Sequence, residues 1–430
     1  KANLNGSSPS DDAACNLLSD SRTAFQKGTW YSLTGQCLIR DPDYAKFDIT
    51  AITAGTNIEL DDLTNIFISI SNRDKEQKAF VASGTSTLGN PTSEDTFNLY
   101  ELETDYLSLR TDHKTFLADQ LTTLSIGVDF QETDYSKKSS QSPSLQFGGY
   151  VNASQESRAI YSQNSINLNE GNSIMSFGAR LENADYKVRE SFDKSVTKYA
   201  SSSARDPYQT KMSNHAVNIG IEHILDNQNR LFAKYAEAFR TPDLDSRNKT
   251  CVISYNYPCS HPAFFLKDQK SDETEIGIRH KQNNFSLNGS IFEMNTVNEI
   301  RYIPEKNNTN LDPIKRKGLN LDFNYNLNKD INIVGSFTYI DAHFTSGSLT
   351  RGSFEGTYAA NSQTAISKMD SSRNLNDGTY NIAGLKVPLV SEYIYNLGLN
   401  YNMPREILFK INMSFVDDMF VSNDQENIEP

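Results

Sequence analysis

The sequence is poor in long apolar runs. Its longest, such as Ile66-Phe67-Ile68 and Val387-Pro388-Leu389-Val390, fall far short of the roughly 18 residues that a membrane-spanning helix needs. A mean hydropathy of −0.57 likewise excludes a helical membrane protein. Positive charge is also short: 41 Lys and Arg against 54 Asp and Glu leave a net charge of −13 over 430 residues. A nucleic-acid partner, which calls for clustered Lys and Arg against phosphates, is therefore excluded. The motifs of catalysis are missing too. There is no Gly-x-Ser-x-Gly, no P-loop and no catalytic Cys/His arrangement, and the six His are scattered without a His-x-x-x-His pair. The chain reads as a protein that is not an enzyme.

Aromatics are plentiful. There are 21 Tyr and 23 Phe beside a single Trp, a content that a disordered chain of this polarity would not carry. Four Cys fall into two close pairs, Cys15 with Cys37 and Cys251 with Cys259, each in a loop-like stretch rich in Ser, Asn, Asp and Pro. With no Cys-x-x-Cys and only His261 nearby, a zinc site is not favoured. Two loop disulfides imply an oxidising compartment.

The dominant pattern is strict alternation. Leu319, Leu321, Phe323, Tyr325 and Leu327 alternate with Asn320, Asp322, Asn324 and Asn326. The same holds for Tyr393 to Tyr401, Val217 to Ile221 and Leu124 to Phe130. Short polar turns are expected at Asp61-Asp62, Asp112-His113-Lys114, Glu170-Gly171-Asn172, 226–229, 282–284, 328–330 and 403–405. Long polar connections are expected at about 1–43, 77–96, 136–148, 188–211, 241–268, 304–312, 344–386 and 422–430. Because short and long connections alternate, all short turns lie at one end of the sheet. The count is about 14 antiparallel strands, many long enough to cross a membrane at a tilt. A soluble sandwich or propeller competes with a transmembrane barrel. Polar Asn, Ser, Gly and Glu opposite the apolar face, few bulky core residues and one-sided loop lengths favour the barrel.

The segment Tyr235-Ala236-Glu237-Ala238-Phe239-Arg240-Thr241-Pro242-Asp243-Leu244-Asp245 resembles the TonB-dependent outer-membrane receptors, of the siderophore and cobalamin receptor kind. Further resemblances follow in family order at 270–277, at Phe285 to Tyr302 and at Asn310 to Gly318. The resemblance implies an all-β transmembrane barrel of which about 14 strands of a probable 22 are here. Residues 1–430 then form a partial barrel domain, with the plug, the TonB-contacting segment, the first strands and the terminal strand absent; both ends read as cut.

It further implies an outer-membrane receptor, long loops outside, that imports a siderophore, cobalamin or similar metal chelate energised through TonB. Its partners would be the TonB complex, outer-membrane lipid and lipopolysaccharide, with no nucleic acid. A passive porin-like channel or surface-binding barrel is the alternative. Tyr255, Tyr257, Phe264 and Phe265, in the stretch braced by Cys251 and Cys259, are the candidate ligand surface, with Arg240 beside them. Arg240 and Asp245 equally fit a role in bracing the loop base. Asp41 and Asp43 are similar to the Asp-rich junction that helps hold calcium in cobalamin receptors; apart from that cation no cofactor is expected.

Overall fold

Alternation fixes the architecture, because a strand with one apolar and one polar face needs neighbours that share both. In the computed structural model fourteen strands form a single antiparallel sheet, each paired with the strand before and after it in the chain. They are β1 (Tyr44–Asp61), β2 (Thr64–Val81), β3 (Thr96–Leu117), β4 (Gln120–Ser140), β5 (Gly149–Leu168), β6 (Ser173–Phe192) and β7 (Tyr208–Ile224). The rest are β8 (Asn229–Arg240), β9 (Gln269–Gln282), β10 (Phe285–Val297), β11 (Ile314–Asn326), β12 (Ile331–Phe344), β13 (Tyr393–Met403) and β14 (Ile407–Val416). The structure describes residues 29–31, 37–39, 44–81, 95–117, 119–204, 206–244, 266–303, 307–350, 379–404 and 407–420.

The register aligns side chains into rungs. One apolar rung runs Ile221, Ala233, Ile276, Ile291, Leu319, Tyr339, Tyr393 across seven successive strands. Among the described residues no second layer covers this face: Leu397 is 44% exposed, and Leu321, Phe323 and Leu399 are also unburied. An apolar face open along its whole width is what a lipid-facing wall requires, and a sandwich is thereby excluded. The opposite face carries the polar partners. Aromatic rings there and on the outer face lie over the glycines directly across the ladder: Tyr161 over Gly127, Phe232 over Gly277, Phe292 over Gly318 and Phe323 over Gly335.

Several details differ from the sequence reading. Asp112-His113-Lys114 is not a turn. His113 Nδ1 is held 3.0 Å from Thr64 Oγ1, and β3 runs on to Leu117; Asp119, just before β4, takes φ +63°. Local polarity suggested a break that cross-strand pairing overrides. Strands β2, β4, β6 and β7 also extend into 77–96, 136–148 and 188–211, and β3, which runs on past 112–114, reaches 22 residues, about 70 Å along its axis. Phe285 to Tyr302 does not form one strand: Asn298 turns the chain at φ +56°, and a hairpin pairs 300–303 with 307–310. Among the described residues nothing pairs β1 with β14, so the sheet is an open arc whose two edge strands are exposed throughout.

Candidate functional site

The inner face changes character toward the long-connection end. Nearer the short turns it is charged: Arg180 joins Asp129 at 2.5 Å and Glu182 at 2.8 Å, and Lys234 joins Glu275 at 2.6 Å and Glu273 at 3.1 Å. Higher up, the polar lining expected from the sequence gives way to a buried cluster of Tyr135, Val151, Ala153, Tyr186, Val188 and Leu244, with Tyr100, Leu102, Tyr208 and Met212 against it. Alternation could not reveal this, because both faces of the upper strands carry mixed residues. Register is the signal that was missing: Lys75, Leu102, Tyr135, Ala153, Val188 and Tyr208 are direct cross-strand partners across β2 to β7. A cavity of about 910 Å³ follows this one rung.

Two connections build on that patch. Leu244 enters it from the end of the stretch that begins Arg240-Thr241-Pro242, in which Pro242 is fully buried. The segment 193–204 folds back over the ends of β3 to β6. Its Tyr199 stacks on Phe192 at 5.7 Å and fills the space where Gly148 and Gly149 have no side chain. Its Lys198 ammonium donates to the Asp95 carbonyl and, at 3.1 Å, to Thr96 Oγ1. Burial pulls the Lys198 ammonium below its ordinary range, and it pushes the Tyr199 phenol up to about 12. Aromatic rings and cations sit together: Lys137 lies 5.2 Å from the Tyr100 ring centroid.

A second shelf stands on β11 and β12. Leu311, Ile314, Ala342, Phe344, Ile382 and Val387 form its core. Arg316 and Arg301 close on Glu299 at 2.5 and 2.8 Å, and Arg301 also donates to the Pro388 carbonyl. The segment 382–392 is thereby pinned along the top of β12, with Val387 N–H donating to the Ala342 carbonyl and Ile340 N–H to that of Glu392. Between them the shelves gather apolar and aromatic side chains at the long-connection end, with their cations held in internal pairs.

Of the residues singled out in the sequence, Arg240 is described. It ends β8, half-exposed, with Nη2 3.4 Å from Asp243 Oδ2, which fits the bracing role. Tyr255, Tyr257, Phe264, Phe265, Asp245, Asp41, Asp43, Cys15, Cys251 and Cys259 lie outside the described residues, and Cys37 is placed only as the first residue of the short strand Cys37–Ile39. Among the described residues no three His, Cys, Asp or Glu converge as metal ligands would. No helix is long and apolar enough to cross a membrane, which says nothing of strands.

Comparison with known proteins agrees with this architecture. The family model described as TonB dependent receptor-like, beta-barrel matches residues 3–427. Among solved structures, the chain is similar to the closed form of the ferric-catecholate import receptor Fiu from K12 E. coli, with 14% identity, TM-score 0.60 and coverage of 95% of this chain and 58% of that one. It is similar also to the siderophore receptor PiuA from Acinetobacter baumannii, at 14% identity and TM-score 0.63, covering 89% and 56%. The ferric yersiniabactin uptake receptor FyuA from Yersinia pestis gives 11% identity and TM-score 0.61, covering 89% and 52%. The chain therefore spans little more than half the length of these proteins, and at such identities the likeness is one of fold. Among curated protein sequences none matches.

Proposed function

The chain belongs to the TonB-dependent receptor β-barrel family, and on that premise we propose that it forms the wall of an outer-membrane receptor for a siderophore or similar metal chelate, its uptake energised through TonB. The observation that carries this reading is the inner patch at the long-connection end. A rung of Leu102, Tyr135, Ala153, Val188 and Tyr208 under a cavity of about 910 Å³, with Lys75 in the same rung, offers ring faces and an ammonium group together. Bulky chelates with aromatic or carboxylate arms bind by such groups. Two of the similar structures, a ferric-catecholate import receptor and a ferric yersiniabactin uptake receptor, are of the same class. In this reading the long connections face outward, Arg240 and the Tyr255 to Phe265 stretch meet the ligand first, and lipopolysaccharide surrounds the upper wall.

The test is uptake by the full-length protein in cells lacking other receptors for iron chelates. Radiolabelled ferric catecholate, hydroxamate and citrate complexes and cobalamin would be offered with and without a proton uncoupler. Uptake of one chelate that the uncoupler abolishes is the expected result. Flux that ignores the uncoupler would replace the receptor with a passive channel.

A further inference from the structure

The inner face from β4 to β14 uses its polar groups in two ways. From β4 to β9 the charges are spent on one another: Arg180 on Asp129 and Glu182, Lys234 on Glu273 and Glu275, and both Arg230 and Arg279 on Glu222. From β10 to β14 the same face is mostly amides and hydroxyls, and their bonding capacity is only partly used.

A groove of about 780 Å³ crosses this second part. Its banks are two polar rungs of the ladder, one from Lys281 on β9 to Asn412 on β14 and the other from Arg279 to Ser414. Five strand spacings of roughly 4.8 Å make it about 24 Å long. Gly398 keeps the first bank low. A Cβ there would lie 2.8 Å from Val334 Cγ2 and 3.0 Å from Asn412 Oδ1, the side chains on either side of it in the same rung.

Amides beside the groove lock one another in place. Asn400 donates to Asn332 Oδ1 at 3.0 Å, and Asn332 donates to Asn324 and Asn326 at 2.6 and 2.9 Å. Asn396 is held on Ser336 Oγ at 3.0 Å. By contrast, Lys281, Asn288, Asp322, Asn412 and Ser414 are exposed and have no side-chain partner among the described residues. A stiff groove therefore carries an unpaired ammonium at one end, an unpaired carboxylate two strands along, and free amide and hydroxyl groups beyond.

We propose that this groove is an exit-side binding site for an anionic metal chelate with amide-linked arms. The proposal rests on the receptor reading, which brings a chelate past the inner face and puts the short turns at the far end. Lys281 takes the negative charge carried by the metal centre, and Asp322 accepts an N–H from an arm. Asn288, Asn412 and Ser414 take the carbonyls and hydroxyls of the other arms. The volume lies in the range that holds small-molecule ligands. A neutral chelate would leave the Lys281 ammonium without a partner, and arms lacking N–H would cover Asp322 without pairing it.

The experiment uses the purified full-length protein in detergent micelles, which leave both ends open to solution. The probes are a trianionic ferric tris-catecholate and a neutral ferric tris-hydroxamate, both with amide-linked arms and one diazirine. After illumination, peptide mass spectrometry locates the crosslinks. The tris-catecholate should mark peptides covering 279–288 and 396–414, and the tris-hydroxamate should mark them far less. Lys281→Glu should lower that marking by roughly tenfold, the factor that one charge-assisted hydrogen bond supplies, while Lys281→Arg retains it. Asn288→Leu with Asn412→Leu should lower it several-fold. Heat-modifiable gel mobility verifies that each variant is folded. No marking in these peptides, equal marking by the two probes, or marking that Lys281→Glu leaves unchanged would overturn the proposal. Uptake and the proton gradient do not enter this measurement, so failure of the receptor reading appears in the transport test and failure of the groove appears here.

Discussion

Arg180 on β6 reaches past the whole of β5 to place Nη1 2.5 Å from Asp129 Oδ2 on β4, while its Nη2 holds Glu182 at 2.8 Å. Tyr106 and Ser108 add hydroxyls to the same Asp129 at 3.0 and 2.8 Å. One guanidinium thus ties three strands together across a face where both carboxylates are largely shielded. Replacing Arg180 with Met would strand them, and the expected cost is about 2–4 kcal/mol in urea unfolding from lipid vesicles. The double replacement Arg180→Met with Asp129→Asn should recover part of that loss. A cycle showing no coupling between the two sites would contradict the assignment.

Gly277 illustrates a different constraint. A Cβ at this position would lie 2.4 Å from the Phe232 ring and 2.6 Å from the Gly289 carbonyl oxygen, and the latter is backbone that cannot step aside. Gly277→Val is expected to destabilise the barrel by about 1–3 kcal/mol. Pairing it with Phe232→Leu should relieve only the ring clash, leaving a residual loss that the same urea titration would register.

The segment 193–204 should respond to alkali. Tyr199 keeps its proton to about 12 in the folded protein against 10.0 in an open chain. Below 10 the two states bind the same protons and nothing changes. Between 10 and 12 the open segment loses its proton while the folded one must hold it, so docking weakens as pH rises through that window. Absorbance near 295 nm should show one fewer late-ionising tyrosine in Tyr199→Phe than in the wild type. The variant should also lose the pH dependence of protease cleavage in this segment.

Arg240 separates binding from stability. Its bridge to Asp243 is exposed and 3.4 Å long, so Arg240→Ala should change unfolding by less than about 0.5 kcal/mol. In the receptor reading it should nevertheless weaken chelate uptake several-fold at limiting ligand. Uptake indistinguishable from wild type would restrict Arg240 to the loop base.

What alternation could convey, it conveyed. Rows such as Leu319 to Leu327 and Tyr393 to Tyr401 gave strand identity, the number of strands and the lipid-facing side, because period-2 patterning is set by burial medium and needs no tertiary information. The ends of the long strands were opaque for the same reason. Above the lipid band both faces of β3 to β6 meet protein or water in patches, and Tyr135, Tyr186 and Tyr208 come together only through pairings dozens of residues apart. Asp112-His113-Lys114 misled because a polar triplet looks like a turn when its cross-strand partner, Thr64, is not in view.

The strands differ in length in a systematic way, 17 to 22 residues from β1 to β7 and 10 to 14 from β8 to β14. The hydrogen-bonded parapet is therefore a slope, with a high bank built of ladder and a low sill that carries the pairing of 300–303 with 307–310 and the pinned segment 382–392. A molecule arriving from solution meets a tall backstop on one flank and a lower threshold on the other, which gives the entrance a handed approach.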